Sequence, residues 1–303
     1  MARPTVNTQY LRHWTVGDVQ VTRIVEIFPF QVPAADLFAG GTPELIQRYP
    51  WLLPHHATPD GQIIFAFQAF VVRSRGRRIM VDTCLGNDKS RMYDVFTNLQ
   101  TSFLKDLESA GAPAETIDTV LCTHLHQDHV GWNTKLVGKR WVPTFPHARY
   151  LFGRGEWAHW AAQIAARDAH PDEPAVHLQH LSDSVEPLLK AGLVDFVESD
   201  HHITDEVWLE PTPGHTPGHI SVHIASRGQE AVITGDVMHH PVQCAEPDLP
   251  THFCFNHELS RQTRRAFLER YGDRPVLVIG SHFADPTVGR VVRDGATWRF
   301  SAE

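Results

Sequence analysis

A short apolar run, Ile117 to Cys122, empties directly into His124-Leu-His-Gln-Asp-His129. Few arrangements tolerate this. An apolar run of that length, closed by polar residues, reads as a buried strand. The C-terminal end of a buried strand is where polar side chains can gather on one rim of a sheet. His124 and His126 stand two apart, so in extended chain they point the same way. Asp128 and His129 come after the chain has turned and aim at a second point nearby. One segment can therefore supply ligands to two neighbouring metal ions.

Three later segments have the same character. Thr212-Pro-Gly-His-Thr-Pro-Gly-His219 sets His215 in a stiff turn after the strand Val207 to Glu210. Thr234-Gly-Asp236 puts a carboxylate just past the strand Ala231 to Ile233, and Gly280-Ser-His282 puts an imidazole just past Val276 to Ile279. Each candidate lies at a strand's C-terminal end with glycine beside it.

The rest of the chain interleaves strands and helices without a flexible linker, so one α/β domain over residues 1–303 is expected. Val19 to Ile27 reads as a strand. Ile63 to Arg73 and Arg78 to Asp82 form a hairpin through Ser74-Arg75-Gly76. Phe103 to Ala110 keeps helical spacing and Gly111 stops it. Gly155 to Asp168, Val176 to Ala191 and His257 to Tyr271 read as helices, the last with Leu259, Ala266 and Phe267 inward. Ile220 to Ala225 is a strand, and Val288 to Phe300 closes as a hairpin around Asp294-Gly295. Between them lies a Pro- and aromatic-rich excursion at about 28–62, too long and too apolar for a simple connector.

Bulk properties exclude some partners. The 303 residues are 42% hydrophobic with a formal net charge of -8. Apart from Arg75-Gly-Arg-Arg78 and the Arg261 to Arg265 segment there is no basic cluster, which argues against nucleic acid. No apolar run reaches the roughly 18 residues of a membrane span, so no membrane partner is expected. The start, Met1 to Trp14, lacks an apolar core for a secretory signal. The cysteines Cys84, Cys122, Cys244 and Cys254 show no C-x-x-C pair and read as reduced core residues of a cytoplasmic protein.

The set HLHQDH, TPGHTPGH, TGD and GSH resembles the metallo-β-lactamase superfamily of metal-dependent hydrolases, over roughly Val19 to Phe300. The resemblance implies a four-layer αββα sandwich with two divalent ions at one edge. It implies that His124, His126 and His215 bind the first ion, that Asp128, His129 and His282 bind the second, and that Asp236 bridges them. Asp82 matches a position that supports the site from behind; His219 either does likewise or caps a turn. Nitrogen and carboxylate donors without cysteine suit zinc first, with manganese, iron or cobalt also compatible. A metal-bridging hydroxide would attack the substrate, with Asp128 as the catalytic proton acceptor.

Within that superfamily the chain resembles the acyl-homoserine lactonases and the methyl parathion hydrolase-like enzymes beside them. The expected substrate is a small molecule, a lactone. The alternatives are a phosphotriester or aryl ester, or, from another class, a persulfide oxidised by a single iron. Trp132, where a glycine is commoner, is expected near the metal rim. Phe28, Phe30, Phe38 and Trp51 would wall a pocket or pack a second subunit, making a homodimer through the excursion. Phe253, Phe255 and His239 are further pocket candidates, His240 is a pocket or surface residue, and His55-His56 and His201-His202 read as surface loops.

Overall fold

The computed structural model describes residues 8–169 and 176–302, so the stretch Met1 to Trp14 lies partly outside the described residues. The chain divides into two compact units. The first comprises the N-terminal part up to Glu26 together with Phe67–Ser199; the second comprises Ile27–Ala66 and the part from Asp200 onward.

Among the described residues the first unit is built on a seven-stranded sheet in the order β1-β2-β3-β4-β5-β8-β9. Its strands are β1 (Arg12–Val16), β2 (Val19–Pro33), β3 (Gln62–Ser74), β4 (Arg77–Val81), β5 (Thr119–Cys122), β8 (Arg149–Gly153) and β9 (Val194–Val197). β6 (Thr134–Val137) and β7 (Arg140–Pro143) form a separate hairpin. β4, β5, β8 and β9 run parallel, with Val81 beside Leu121 and Leu121 beside Leu151. Parallel strands are covered on both faces and so read as continuous apolar runs. All four residues of β5 are buried, which is why it was legible as a strand. The β3–β4 turn is tight because Arg75 and Gly76 both take positive φ, 50° and 79°.

Helices α3 (Phe103–Ser109), α5 (Arg154–Ala169), α6 (Gln179–Ser184) and α7 (Glu186–Lys190) belong to this unit. The single helix expected over Val176 to Ala191 is a correction: it breaks at Val185, because Pro187 sits in the first turn of α7 and cannot continue α6. The core gathers Phe103, Leu107, Val120, Leu125, Phe145, Tyr150, Phe152 and Trp160.

The second unit carries a six-stranded sheet, β10 (Val207–Pro211), β11 (Ile220–Ser226), β12 (Gln229–Ile233), β13 (Val276–Ile279), β14 (Val288–Asp294) and β15 (Thr297–Ala302), in that order. Only β12 and β13 pair in parallel, so Ile233 and Ile279 end side by side. Helix α8 (Val242–Ala245) precedes helix α9 (His257–Tyr271), which is capped by the Asn256 side chain accepting from the Leu259 N–H. The inward face of α9 is Ser260, Arg264, Phe267, Leu268 and Tyr271; Ala266, expected inward, is exposed.

The 28–62 excursion folds into this unit. It continues β2 to Pro33, then forms α1 (Ala34–Leu37) and α2 (Pro43–Gln47), burying Leu37, Phe38, Ile46 and Leu52. His56, expected on the surface, is buried, with its ring edge-on to His240 at 6.1 Å. Burial holds both imidazoles neutral by pushing their pKa values down. Among the described residues, no helix is long and apolar enough to cross a membrane.

Candidate metal centre

In the first unit the chain leaves β5 at Cys122 and turns through Thr123 to His126 into a short helix, α4 (Gln127–Val130). Asp82 sits at the end of the neighbouring parallel strand β4, in the left-handed region at φ 60°. Its carboxylate accepts from the Thr123 N–H at 2.8 Å and lies 2.9 Å from His129 Nδ1. A carboxylate on the far nitrogen of an imidazole fixes its tautomer and turns the other nitrogen outward. His124 Nε2 and His126 Nδ1 lie 3.0 Å apart, and the His124 and His129 rings are 4.0 Å between centroids. Asp128 is partly exposed, with an oxygen 3.8 Å from His129 Nε2. Four of the expected donors are thus gathered at one strand end.

The second unit gathers the others. His215 follows β10 in a turn whose Gly214 has φ 131° and approaches α9 so closely that a Cβ would lie 2.4 Å from Ser260 N. Asp236 follows β12, and His282 follows β13. Asp236 is buried; its Oδ2 lies 3.2 Å from His215 Nε2 and its Oδ1 lies 3.2 Å from His282 Nε2. His219 Nδ1 donates to the Thr212 carbonyl at 3.0 Å, and its Nε2 accepts from the Asp236 N–H at 2.7 Å. His219 therefore holds the backbone of Asp236 in place.

The donor chemistry of this set fits a divalent ion. His282 Nδ1 donates to the Ala66 carbonyl at 2.9 Å, which in the neutral ring leaves a lone pair on Nε2 facing the carboxylate. Two lone pairs at that separation repel unless a cation lies between them. With no ion a proton does this at His215: burial alone would lower its pKa, but the Asp236 carboxylate raises it to about 9.

The model of the "Metallo-beta-lactamase superfamily" matches residues 68–282, well over half of the chain. The chain belongs to the metallo-beta-lactamase superfamily. The matched stretch includes all seven expected ligands. A curated superfamily relative, "Probable metallo-hydrolase YybB" of Bacillus subtilis (strain 168), is 26% identical over 160 residues, which is 53% of this chain. The match spans 63% of that relative's length. Two solved structures share the fold. One is AidC, a dizinc quorum-quenching lactonase in complex with a product, at 20% identity and TM-score 0.76; the other is the hydrolase AbOPH, at 21% and 0.77. Each alignment covers 97% of both chains.

The superfamily motifs do not reveal everything around these donors. Trp132 is not a rim residue: it is buried in the core, stacked on Phe103 at 5.7 Å, with its indole N–H donating to Glu26 Oε1 at 2.6 Å. Phe253 and Phe255 are exposed, and Phe28, Phe30 and Trp51 are half-buried, with Phe30 edge-on to Phe65 at 5.2 Å. Cys254 is half-buried rather than in the core, 3.6 Å from His215 Nδ1. Burial would raise its pKa, but the hydrogen bonds and charge around it bring the thiol down to about 7.

Sequence reasoning also missed a clamp on Leu125, between His124 and His126. Its N–H donates to Glu156 Oε1 at 3.0 Å, and its carbonyl accepts from His180 Nε2 at 2.8 Å. Burial pushes the His180 pKa down to about 4, so the ring stays neutral. The two expected donors, His124 and His126, hang from the peptide groups this clamp fixes. Glu156→Ala is expected to weaken metal binding on the order of tenfold, the usual scale for groups that orient ligands. Glu156→Gln, which keeps an acceptor oxygen, should recover most of it. Competition with a chromophoric chelator measures both; equal affinity in wild type and Glu156→Ala would remove the clamp's role.

Proposed function

We propose that this chain is a dinuclear metal-dependent hydrolase that opens lactone rings, acyl-homoserine lactones foremost. The observation that carries the proposal is the buried Asp236 carboxylate, which turns one oxygen to His215 and the other to His282. A carboxylate shared by two ions needs that division. In this reading His124, His126 and His215 hold one ion and Asp128, His129 and His282 hold the other, with Asp236 joining them. Zinc is the first choice for an imidazole and carboxylate set. When bound, such ions act as Lewis acids and lower the pKa of water to about 7.

The protein's own contribution is to hold the donors and move a proton. Asp82, His219 and the Ala66 carbonyl set the orientation of His129, Asp236 and His282. Asp128 is partly exposed, so its carboxylate is placed to take up a proton at the edge of the donor set. Asp128→Asn is expected to lower kcat by roughly a hundredfold or more, the range for a lost general base, with a much smaller change in KM. An unchanged kcat would remove this role.

Support for a lactone comes from the likeness to AidC over nearly all of both chains. The deciding experiment is proton release at constant pH from the metal-loaded protein, with His124→Ala as control. The panel holds acyl-homoserine lactones, simple lactones, aryl esters and a phosphotriester. Acid release from lactones, lost in the control, is the expected result. Turnover of esters or the phosphotriester alone would overturn the lactone reading, and silence across the panel with two ions bound would overturn the hydrolase reading.

A further inference from the structure

The seven-residue set leaves out one imidazole that the second unit places on the same carboxylate. His239 is buried, three residues after Asp236, and its Nε2 lies 3.1 Å from Asp236 Oδ2. That is the oxygen His215 approaches at 3.2 Å, whereas His282 takes Oδ1. Nitrogen atoms of His215 and His239 and an oxygen of Asp236 all fall within 4.8 Å of one another. The His239 ring stands across His215 at 4.8 Å between centroids and parallel to His282, 3° off coplanar orientation.

The surroundings commit this ring to the cluster. Its backbone N–H donates to Gln243 Oε1 at 2.8 Å, which fixes the main chain. Two residues before it, the Val237 carbonyl accepts from Arg264 Nε at 2.9 Å, and one residue after it, His240 Nε2 donates to the His56 carbonyl. Nδ1 is buried and has no hydrogen-bond partner. A buried imidazole that turns Nε2 to a carboxylate oxygen already approached by a second imidazole stands where a donor to a shared cation would stand.

We propose that His239 is a further metal ligand, on the Oδ2 side of Asp236 with His215. This rests on the dinuclear reading above and deepens it. The ion on that side would then have five protein donors, His124, His126, His215, His239 and Asp236. The ion on the Oδ1 side has four, Asp128, His129, His282 and Asp236. The pair is unequal: the first ion is more fully enclosed by protein and held more tightly, and the second keeps more room for substrate.

The test titrates Co²⁺ into metal-free wild type, His239→Ala and His239→Gln, followed by calorimetry and by visible absorption of the bound ion. Wild type is expected to bind two equivalents, one tighter than the other. His239→Ala should weaken the tighter equivalent at least about tenfold and change its absorption band, with the weaker equivalent little altered. Glutamine can donate a hydrogen bond to Asp236 but replaces the imidazole, so His239→Gln should behave like His239→Ala. Recovery of wild-type binding by glutamine, or unchanged titrations in both variants, would overturn the assignment while leaving the dinuclear reading intact. Failure of wild type to bind two ions would overturn both.

Discussion

Asp236→Ala is expected to abolish activity and metal content together. The carboxylate is the one side chain that the proposed centre gives to both ions, so its loss removes a donor from each. It also leaves His215, His239 and His282 facing one another without the anion they now surround. Like-type donors without a counter-charge cannot concentrate cations in a buried site. If bound ions supply several kcal/mol of catalysis, losing about 4 kcal/mol of it lowers kcat/KM by roughly a thousandfold. Metal content by elemental analysis and turnover of the best substrate should fall in parallel. Asp236→Asn, which keeps shape but not charge, should follow the same course. Two ions and full turnover in Asp236→Ala would remove the bridging assignment.

The second large effect is on folding. At Gly131 the backbone is ordinary right-handed helix, φ -58°, so conformational freedom is not why glycine stands there. Space is. A Cβ would lie 2.0 Å from the Leu85 carbonyl carbon and oxygen and 2.5 Å from Cys84 O. These are backbone atoms and cannot rotate aside. Admitting the methyl separates two segments now joined by Gly131 N–H to Cys84 O at 2.7 Å, Trp132 N–H to Thr83 O at 2.8 Å and Thr83 N–H to His129 O at 2.9 Å. Overpacking of about 1–3 kcal/mol, with two or three hydrogen bonds of about 1 kcal/mol each, puts Gly131→Ala at about 3–6 kcal/mol. Total stabilities are about 5–15 kcal/mol, so the variant should unfold at markedly lower urea or fail to accumulate. His129 lies in the displaced segment, so whatever protein is recovered should also bind metal poorly. A urea midpoint equal to wild type would show that the two segments part freely.

The parts that bear the candidate donors were legible because their signals are local. β5, β12 and β13 are short, apolar, and followed at once by the residues that matter, and Gly214 and Gly235 mark turns within the motifs themselves. What stayed hidden depends on partners remote in sequence. Trp132 looked like a rim residue because it adjoins the histidine motif, but Glu26 and Phe103 draw it into the core. His56 looked like half of a surface pair until His240 closed over it. Glu156 and His180 carry no motif: they hold Leu125 through its peptide group, and a peptide group has no sequence signature. The break at Val185 is marked in the sequence by Pro187, which cannot continue α6. Strands β8 and β9 were missed because their pattern alone does not separate them from the helices and loops beside them.

The chain crosses from the first unit to the second inside β2 and returns inside β3. This has a consequence for synthesis. Ala34, Leu37, Phe38, Ile46 and Leu52 leave the ribosome early, whereas the partners they are buried with begin at Asp200. Chains generally fold as units, earliest first. Here Ile27–Ala66 is made before Phe67–Ser199 and the part from Asp200 onward only after it, so an apolar segment waits for its partners while the whole of Phe67–Ser199 is made. Slowing translation lengthens that wait, and chaperones that shield nascent apolar chain shorten its exposure.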